Sequence, residues 1–180
     1  MFHNLLVSID GSPASDEALR QAIDIALADR SRLTLLTAVR HCPAWAYSPV
    51  SAAAVQQLAT DFEQEAQRAM CAAVERVPQS IPVTKIVTHK PIRGALMRRI
   101  KSGHHDLLVM GSRGREGLKA SLLGSVSQYA LNHSPIPVLI AHAPDEAERR
   151  RDGREGTQAE ASPGKPGIQP GGTASADAGA

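Results

Sequence analysis

The sequence predicts an α/β fold, a doubly wound parallel sheet of five strands with helices on both faces, and two observations support this prediction. Short, almost continuously apolar runs alternate along the chain with longer segments in which apolar residues recur every three or four positions. With 180 residues, 42% of them hydrophobic, the chain can bury one ordinary α/β core. Strands that alternate with helices favour parallel pairing through right-handed crossovers.

The first half of the chain alternates strand and helix twice. Strand one is predicted at Leu5–Ile9, and a helix follows from Ser12–Pro13 to about Asp29, because serine caps helices and proline is tolerated in their first turn. Strand two is predicted at Leu33–Val39. A long helix spans about residues 51–77, where an apolar stripe repeats at helical spacing.

The second half continues the alternation, with proline and glycine marking the ends of elements. A short helix begins near Pro91 and ends at Gly103. The remaining predicted elements are strand three at Val83–Thr88, strand four at Asp106–Met110, a last helix at about Ser121 to Asn132, and strand five at Pro137–Ala141.

The last part of the chain differs in composition from the rest. Ten glycines and prolines follow Pro144, and Ile168 is the one large apolar residue there. Such a segment buries too little apolar surface to offset the entropy of ordering. We therefore expect a folded domain at residues 1–143 and a disordered Gly/Pro/Ala-rich tail at residues 144–180, the tail being a candidate contact for a protein partner.

A glycine-rich motif directly after strand four is the most informative feature of the sequence. Gly111, Gly114, Gly124 and Ser125 have the spacing G-x2-G-x9-G-S. Glycines let backbone N–H groups approach a phosphate chain, and a helix N-terminus beyond them adds partial positive charge. Further cations in the loop are Arg113, Arg115 and Lys119. The motif predicts an anion site, although glycines can also serve only to make a tight turn.

The end of strand one carries a second candidate group. In doubly wound sheets, ligands bind beyond the carboxyl ends of the strands, where the strand order reverses. Asp10 stands at that end, followed by Gly11 and Ser12. Its carboxylate could accept hydrogen bonds from a ribose or a base, or bind a metal ion. It could equally be a turn acid that stabilises the next helix.

Composition argues against two classes of partner. The net charge of +2 is too small to indicate a polyanionic partner, and 3% aromatic residues leave few stacking surfaces for single-stranded nucleic acid.

No stretch approaches the ~18 apolar residues of a membrane span, and the N-terminus shows no secretory signal. Cys42 and Cys71 lack metal-ligand spacing, and Cys71 is expected near the apolar face of its helix. We expect a soluble, cytoplasmic protein.

Three groups of residues together match one known family. They are the glycine motif with the preceding Asp106–Met110, the segment Val7–Ser12, and Leu123–Ser127 with Pro135–Ile140. Over about residues 2–142 the chain resembles the universal stress protein family, specifically its ATP-binding branch.

The resemblance implies a Rossmann-like, adenine nucleotide-binding fold with strand order 3-2-1-4-5, a homodimer formed through the fifth strand, and bound ATP with Mg²⁺. Carried over by position, Asp10 and Val39 would contact the adenosine end, Met110 and Gly111 the ribose region, and Gly114, Gly124 and Ser125 the phosphates. Ser8 stands where some members have proline, and Arg113 would add charge beside the phosphates. Where the family often has Gly-x-Pro, this chain has His89–Lys90–Pro91, so that loop is expected to close differently.

Three functions follow as alternatives. The favoured one is a nucleotide-responsive regulatory module in the stress response. The second is an enzyme with slow turnover, a weak ATPase or a protein that phosphorylates itself at Ser121 or Ser125. The chain has no G-x-x-x-x-G-K-[ST] motif, and Glu116 is the one evident base near the loop. The third is an adapter that works through the dimer surface and the tail without nucleotide.

Overall fold

The computed structural model describes residues 1–41, 52–115 and 123–143. Within these residues, five parallel strands form one sheet in the order β3-β2-β1-β4-β5, which confirms the predicted topology. In chain order the elements are β1 (Asn4–Ser8), α1 (Pro13–Asp29), β2 (Arg32–Ala38), α2 (Ala52–Glu75), β3 (Val83–Thr88), α3 (Ile92–Gly103), β4 (Leu107–Gly111), α4 (Ser125–His133) and β5 (Val138–Ala141).

The central strands send alternate side chains into two separate helical layers. On β1, Leu5 and Val7 pack in a cluster with residues of α1 and α2, whereas Leu6 packs in a second cluster with residues of α3 and α4. The side chains of β2 and β4 divide between the two clusters in the same way. Because both faces of the sheet are covered, these strands are almost continuously apolar, as the sequence pattern indicates.

The bounds of α1 follow local signals. Ser12 caps the helix, its Oγ accepting a hydrogen bond from the N–H of Ser15 at 3.2 Å, and Pro13 is the first helical residue. At the other end Arg30 adopts a left-handed conformation with φ of 55°, and its N–H closes the last turn. An arginine therefore occupies the position that glycine usually takes.

The predicted start of the last helix at Ser121 is wrong. α4 begins at Ser125, and Gly124 is its N-cap with an extended backbone. The N–H of Gly124 donates to the carbonyl of Ser112 at 2.7 Å, so this residue is held against the loop that follows β4 and does not enter a helical turn. Ser121 itself lies outside the described residues.

The predicted place of Cys71 on or near the apolar face of its helix is also wrong, because Cys71 is exposed. The buried stripe of α2 runs through Ala66, Ala69, Met70 and Ala73. Cys42 and the whole of residues 144–180 lie outside the described ranges, so the domain boundary and the disorder of the tail stay predictions.

Among the helices that the structure describes, none combines the length and the apolar character that a membrane span requires.

A buried histidine lies at the amino ends of the strands, opposite the edge where β1 and β4 end. His105 is 5% exposed, and neither of its ring nitrogens has a hydrogen-bond partner. Burial, with a smaller contribution from the nearby positive charge of Arg99, lowers the pKa of His105 below its ordinary value. The fold therefore favours the neutral imidazole.

Candidate functional site

An open cavity of about 900 Å³ lies over the carboxyl ends of β1, β2 and β4. The strand order reverses between β1 and β4, which is where doubly wound proteins bind their ligands. All nine of the site residues predicted from the sequence line this cavity, namely Ser8, Asp10, Val39, Met110, Gly111, Arg113, Gly114, Gly124 and Ser125. The fold thus brings them together, and their individual contacts to a ligand stay predictions.

Two glycines of the motif allow a close approach of the chain on the cavity wall. A Cβ on Gly114 would lie 2.7 Å from Oδ2 of Asp10, and a Cβ on Gly124 would lie 3.4 Å from the Cα of Arg113 and from the carbonyl oxygen of Ser112. The two bends of the chain therefore contact each other through their backbones. Any side chain at Gly114 would displace the carboxylate beside it.

The first glycine of the motif has a packing role. A Cβ on Gly111 would lie 2.7 Å from the carbonyl carbon of Ala14 and 2.8 Å from the N of Ser15. Glycine is required here because the first turn of α1 approaches the end of β4 so closely. The carbonyl of Gly111 also accepts a hydrogen bond from Oγ of Ser127 at 2.8 Å, which joins β4 to α4.

The turn after β1 is fixed by hydrogen bonds. Oδ1 of Asp10 accepts from the N–H of Ser12 at 2.9 Å, and Gly11 between them has a φ of 73°. The hydroxyl of Ser12 donates to the carbonyl of Arg113 at 3.3 Å. Asp10 is therefore a turn acid through Oδ1, while its Oδ2 faces Gly114 and the cavity.

Positive charge predominates on the cavity wall. Its described cationic side chains are Arg40, Lys90, Arg93, Arg113 and Arg115, and the acidic ones are Asp10 and Glu65. Clefts lined by one sign of charge concentrate ions of the opposite sign. The lining therefore favours an anionic ligand.

The contribution of α2 to the cavity was not predicted. Phe62, Glu65 and Ala66 line the wall that faces the glycine motif, and the guanidinium carbon of Arg40 lies 4.6 Å from the ring centroid of Phe62. The sequence predicts Phe62 and Ala66 as core residues of an apolar stripe. In the sequence, the one feature that could have indicated a ligand site in α2 is the acidic residue Glu65, which stands next to Ala66 of that stripe.

Glu65 forms two ion pairs on this wall. Its Oε1 pairs with Nη1 of Arg115, and its Oε2 lies 3.8 Å from Nη1 of Arg40. The side chains of Arg115 and Glu65 are 30% and 32% exposed, so the pair is partly withdrawn from solvent. We call this arrangement of Arg115, Glu65 and Arg40 the Glu65 bridge.

Magnesium would need few protein ligands at such a site. The ion usually keeps several waters and binds one or two carboxylates together with the phosphates of a nucleotide. Asp10 supplies a carboxylate beside Gly114 and fits that role. No cluster of three or more metal-ligating side chains occurs within residues 1–41, 52–115 and 123–143.

A parallel sheet in this order, with a cationic cavity and a glycine-rich loop at its switch point, defines a doubly wound α/β protein with a candidate ligand site at the carboxyl edge of its sheet. The sequence model of the universal stress protein family matches residues 1–142 of the chain. The chain belongs to the universal stress protein family.

Individual relatives support this membership. The chain is 35% identical over 144 residues to universal stress protein Rv2005c of Mycobacterium tuberculosis, an alignment that covers 76% of this chain and 44% of the relative. It is 29% identical over 146 residues to universal stress protein YxiE of Bacillus subtilis, covering 78% of this chain and 99% of that protein. The chain thus spans less than half the length of the mycobacterial relative.

Solved structures share the fold. Universal stress protein UspA from Lactobacillus plantarum superimposes with a TM-score of 0.58 at 22% identity, over 77% of this chain and 97% of that one. A universal stress protein family protein from Arabidopsis thaliana, solved with AMP bound, has a TM-score of 0.58 at 15% identity, over 81% and 94% of the two chains. At these identities the likeness establishes the architecture.

Proposed function

We propose that the cavity binds an adenine nucleotide, ATP with Mg²⁺, and that the protein is a nucleotide-responsive regulatory member of its family. The observation that carries the proposal is the pair of glycines, Gly114 and Gly124, which bring two bends of the chain together on the cationic wall of the cavity. Because the N–H of Gly124 is engaged by the carbonyl of Ser112, the N–H groups proposed for the phosphates are those of Gly114 and of the first turn of α4.

The size and charge of the cavity support a nucleotide. Its volume of about 900 Å³ lies within the ~300–1,000 Å³ of ordinary small-molecule sites. Ser125 is exposed in the cavity at the first turn of α4, where the helix dipole favours negative charge. An adenine base is proposed because of the family resemblance, and the AMP in the Arabidopsis thaliana protein of the same fold agrees with it.

Calorimetric titration with Mg-ATP tests the proposal. We expect binding by the unaltered protein, its loss in Gly114→Val and Gly124→Val, and native circular dichroism in both variants. Gly94→Ala is the control, because a Cβ at Gly94 meets nothing within 4 Å. Undiminished affinity in both valine variants would overturn the proposal. Phosphate release measured on the same samples distinguishes a weak ATPase from a binding protein.

We further propose a homodimer formed through β5, as the resemblance implies. This strand is an edge of the sheet, and Val138, Leu139 and Ile140 are only half-buried in the single chain. Mass spectrometry under native conditions would report the subunit number together with any co-purified nucleotide. A monomer at micromolar concentration would contradict the dimer. The cytoplasmic location and a protein partner for the tail stay predictions.

A further inference from the structure

The Glu65 bridge joins two parts of the cavity wall that are far apart in the sequence. Arg115 follows the glycine bend after β4, whereas Glu65 lies in α2. The guanidinium of Arg115 also covers the turn after β1, because a Cβ on Gly11 would lie 2.5 Å from its Nη2. The arginine of the proposed phosphate loop is therefore held by α2 and lies against Gly11.

A carboxylate and a phosphate compete for the same guanidinium. Both groups accept hydrogen bonds from the planar fork of an arginine, and both prefer paired contacts. Because the side chains of Arg115 and Glu65 are each about one-third exposed, a ligand in the cavity can reach the pair. A phosphate that binds Arg115 must displace the carboxylate of Glu65 or lie beside it.

The free energy that is lost when a phosphate approaches Glu65 depends on the charge of the ligand. Asp10 and Glu65 are the acidic side chains among the described residues of the cavity lining. Asp10 is already engaged by the N–H of Ser12, whereas Glu65 is engaged by the cations that a phosphate would need. Repulsion between like charges rises in proportion to the charge of the ligand, so a triphosphate without a bound cation is penalised more than a monophosphate.

We propose that Glu65 sets the charge preference of the cavity by competing with ligand phosphates for Arg115, and thereby weakens the binding of triphosphates relative to monophosphates. This inference rests on the proposed adenine nucleotide site. It assigns a specificity-determining role to a residue of α2, outside the glycine motif. The bridge also links the loop after β4 to α2 as long as no phosphate replaces the carboxylate.

Titrations of ATP, ADP and AMP into Glu65→Gln, all without Mg²⁺ so that the ligands differ in charge, test the proposal. The substitution keeps the size of the side chain and removes its charge. We expect the affinity for ATP to rise about fivefold, the order of a partly exposed ion pair, and the affinity for AMP to change by less than about twofold. Glu63→Gln is the matched control: Glu63 lies in the same helix, pairs with His89 at 3.5 Å and does not line the cavity.

The gain should also depend on Arg115. In an Arg115→Gln background, Glu65→Gln is expected to raise the ratio of ATP to AMP affinity by clearly less than in the unaltered background, because only direct repulsion between Glu65 and the phosphates remains. Non-additivity in such a cycle reports the interaction of the two groups. Equal affinities in Glu65→Gln and Glu63→Gln would overturn the proposal. Weaker ATP binding in Glu65→Gln would do so too, because it would mean that the carboxylate positions Arg115 for the ligand.

The two proposals fail in different ways. If the unaltered protein binds ATP and the Glu65 variant does not differ from the control, the role of Glu65 is wrong and the nucleotide site stands. If only Glu65→Gln binds ATP measurably, competition by Glu65 is supported. If neither protein binds any adenylate, the nucleotide site is wrong and the inference about Glu65 is wrong with it.

Discussion

Asp10 and Gly114 are in contact at the carboxyl edge of the sheet: the position of a missing Cβ on Gly114 lies 2.7 Å from the Oδ2 of Asp10. The carboxylate cannot simply rotate away, because its other oxygen accepts the N–H of Ser12 at 2.9 Å. A side chain at residue 114 would therefore have to displace the carboxylate of Asp10 and strain its hydrogen bond to Ser12.

Gly114→Ala is expected to weaken Mg-ATP binding about tenfold, equivalent to about 1.4 kcal/mol, because the methyl group displaces Asp10. The free energy of unfolding should fall by less than about 1 kcal/mol, since Gly114 is exposed. Calorimetry and urea denaturation measure the two effects. In an Asp10→Ala background the additional loss of affinity should disappear. A persistent loss would show that the methyl group acts without the carboxylate.

Gly111→Ala is expected to lower the free energy of unfolding by about 1–3 kcal/mol, because its methyl group would overlap the backbone of α1. Gly94→Ala, at an open position within α3, should instead raise it by about 0.5–1 kcal/mol through helix propensity. Urea denaturation of both variants checks the contrast. Equal stabilities would contradict the close approach of α1 to β4.

The stability of the protein should decrease in mild acid because of His105. Burial lowers the pKa of this histidine below its ordinary value of 6.5, so the unfolded chain takes up the proton at a higher pH than the folded chain. The stability is full above the unfolded pKa and is lost as the pH falls from there towards the folded pKa. Urea denaturation at about pH 7.5 and about pH 5.5 measures the loss.

His105→Leu should reduce this dependence on pH, because the leucine does not titrate. His104→Asn is the control. His104 is exposed and has a left-handed backbone with φ of 50°, a conformation that asparagine tolerates. An unchanged slope of stability against pH in the leucine variant would assign the acid sensitivity to other groups.

Ser12→Ala is expected to lower the free energy of unfolding by about 1 kcal/mol, the usual effect of removing an N-cap hydroxyl. The same change removes the hydrogen bond to the carbonyl of Arg113, so the affinity for Mg-ATP should also decrease. Ser102→Ala, at an exposed position of α3, is the control for denaturation and titration. A decrease in stability without any decrease in affinity would separate the cap from the proposed site.

Elements with strong local signals were predicted closely. α1 begins at Pro13 behind a serine cap, and β3 has the predicted bounds Val83–Thr88. The start of α4 was wrong because no local signal distinguishes an apolar loop residue such as Leu123 from a helical one. Its N-cap, Gly124, makes no side-chain hydrogen bond and is fixed by the distant carbonyl of Ser112.

The residues of the candidate site likewise fall into those that could be predicted from the sequence and those that could not. The proximity of the strand ends and the glycine motif could be predicted from the sequence, because the order of a parallel sheet determines which strand ends are neighbours. The role of Glu65 could not be predicted, because its ion pairs with Arg115 and Arg40 depend on how α2 packs against the sheet. The burial of His105 likewise follows from packing, since in the sequence it is one of two adjacent histidines after a glycine.

The hydroxyl of Ser12 caps the helix that follows it and also donates to the carbonyl of Arg113, 101 positions further along the chain. Displacing the carbonyl of Arg113 and fraying the start of the neighbouring helix are therefore coupled motions. A ligand that displaces the carbonyl of Arg113 would therefore also loosen the first turn of α1 through the side chain of Ser12.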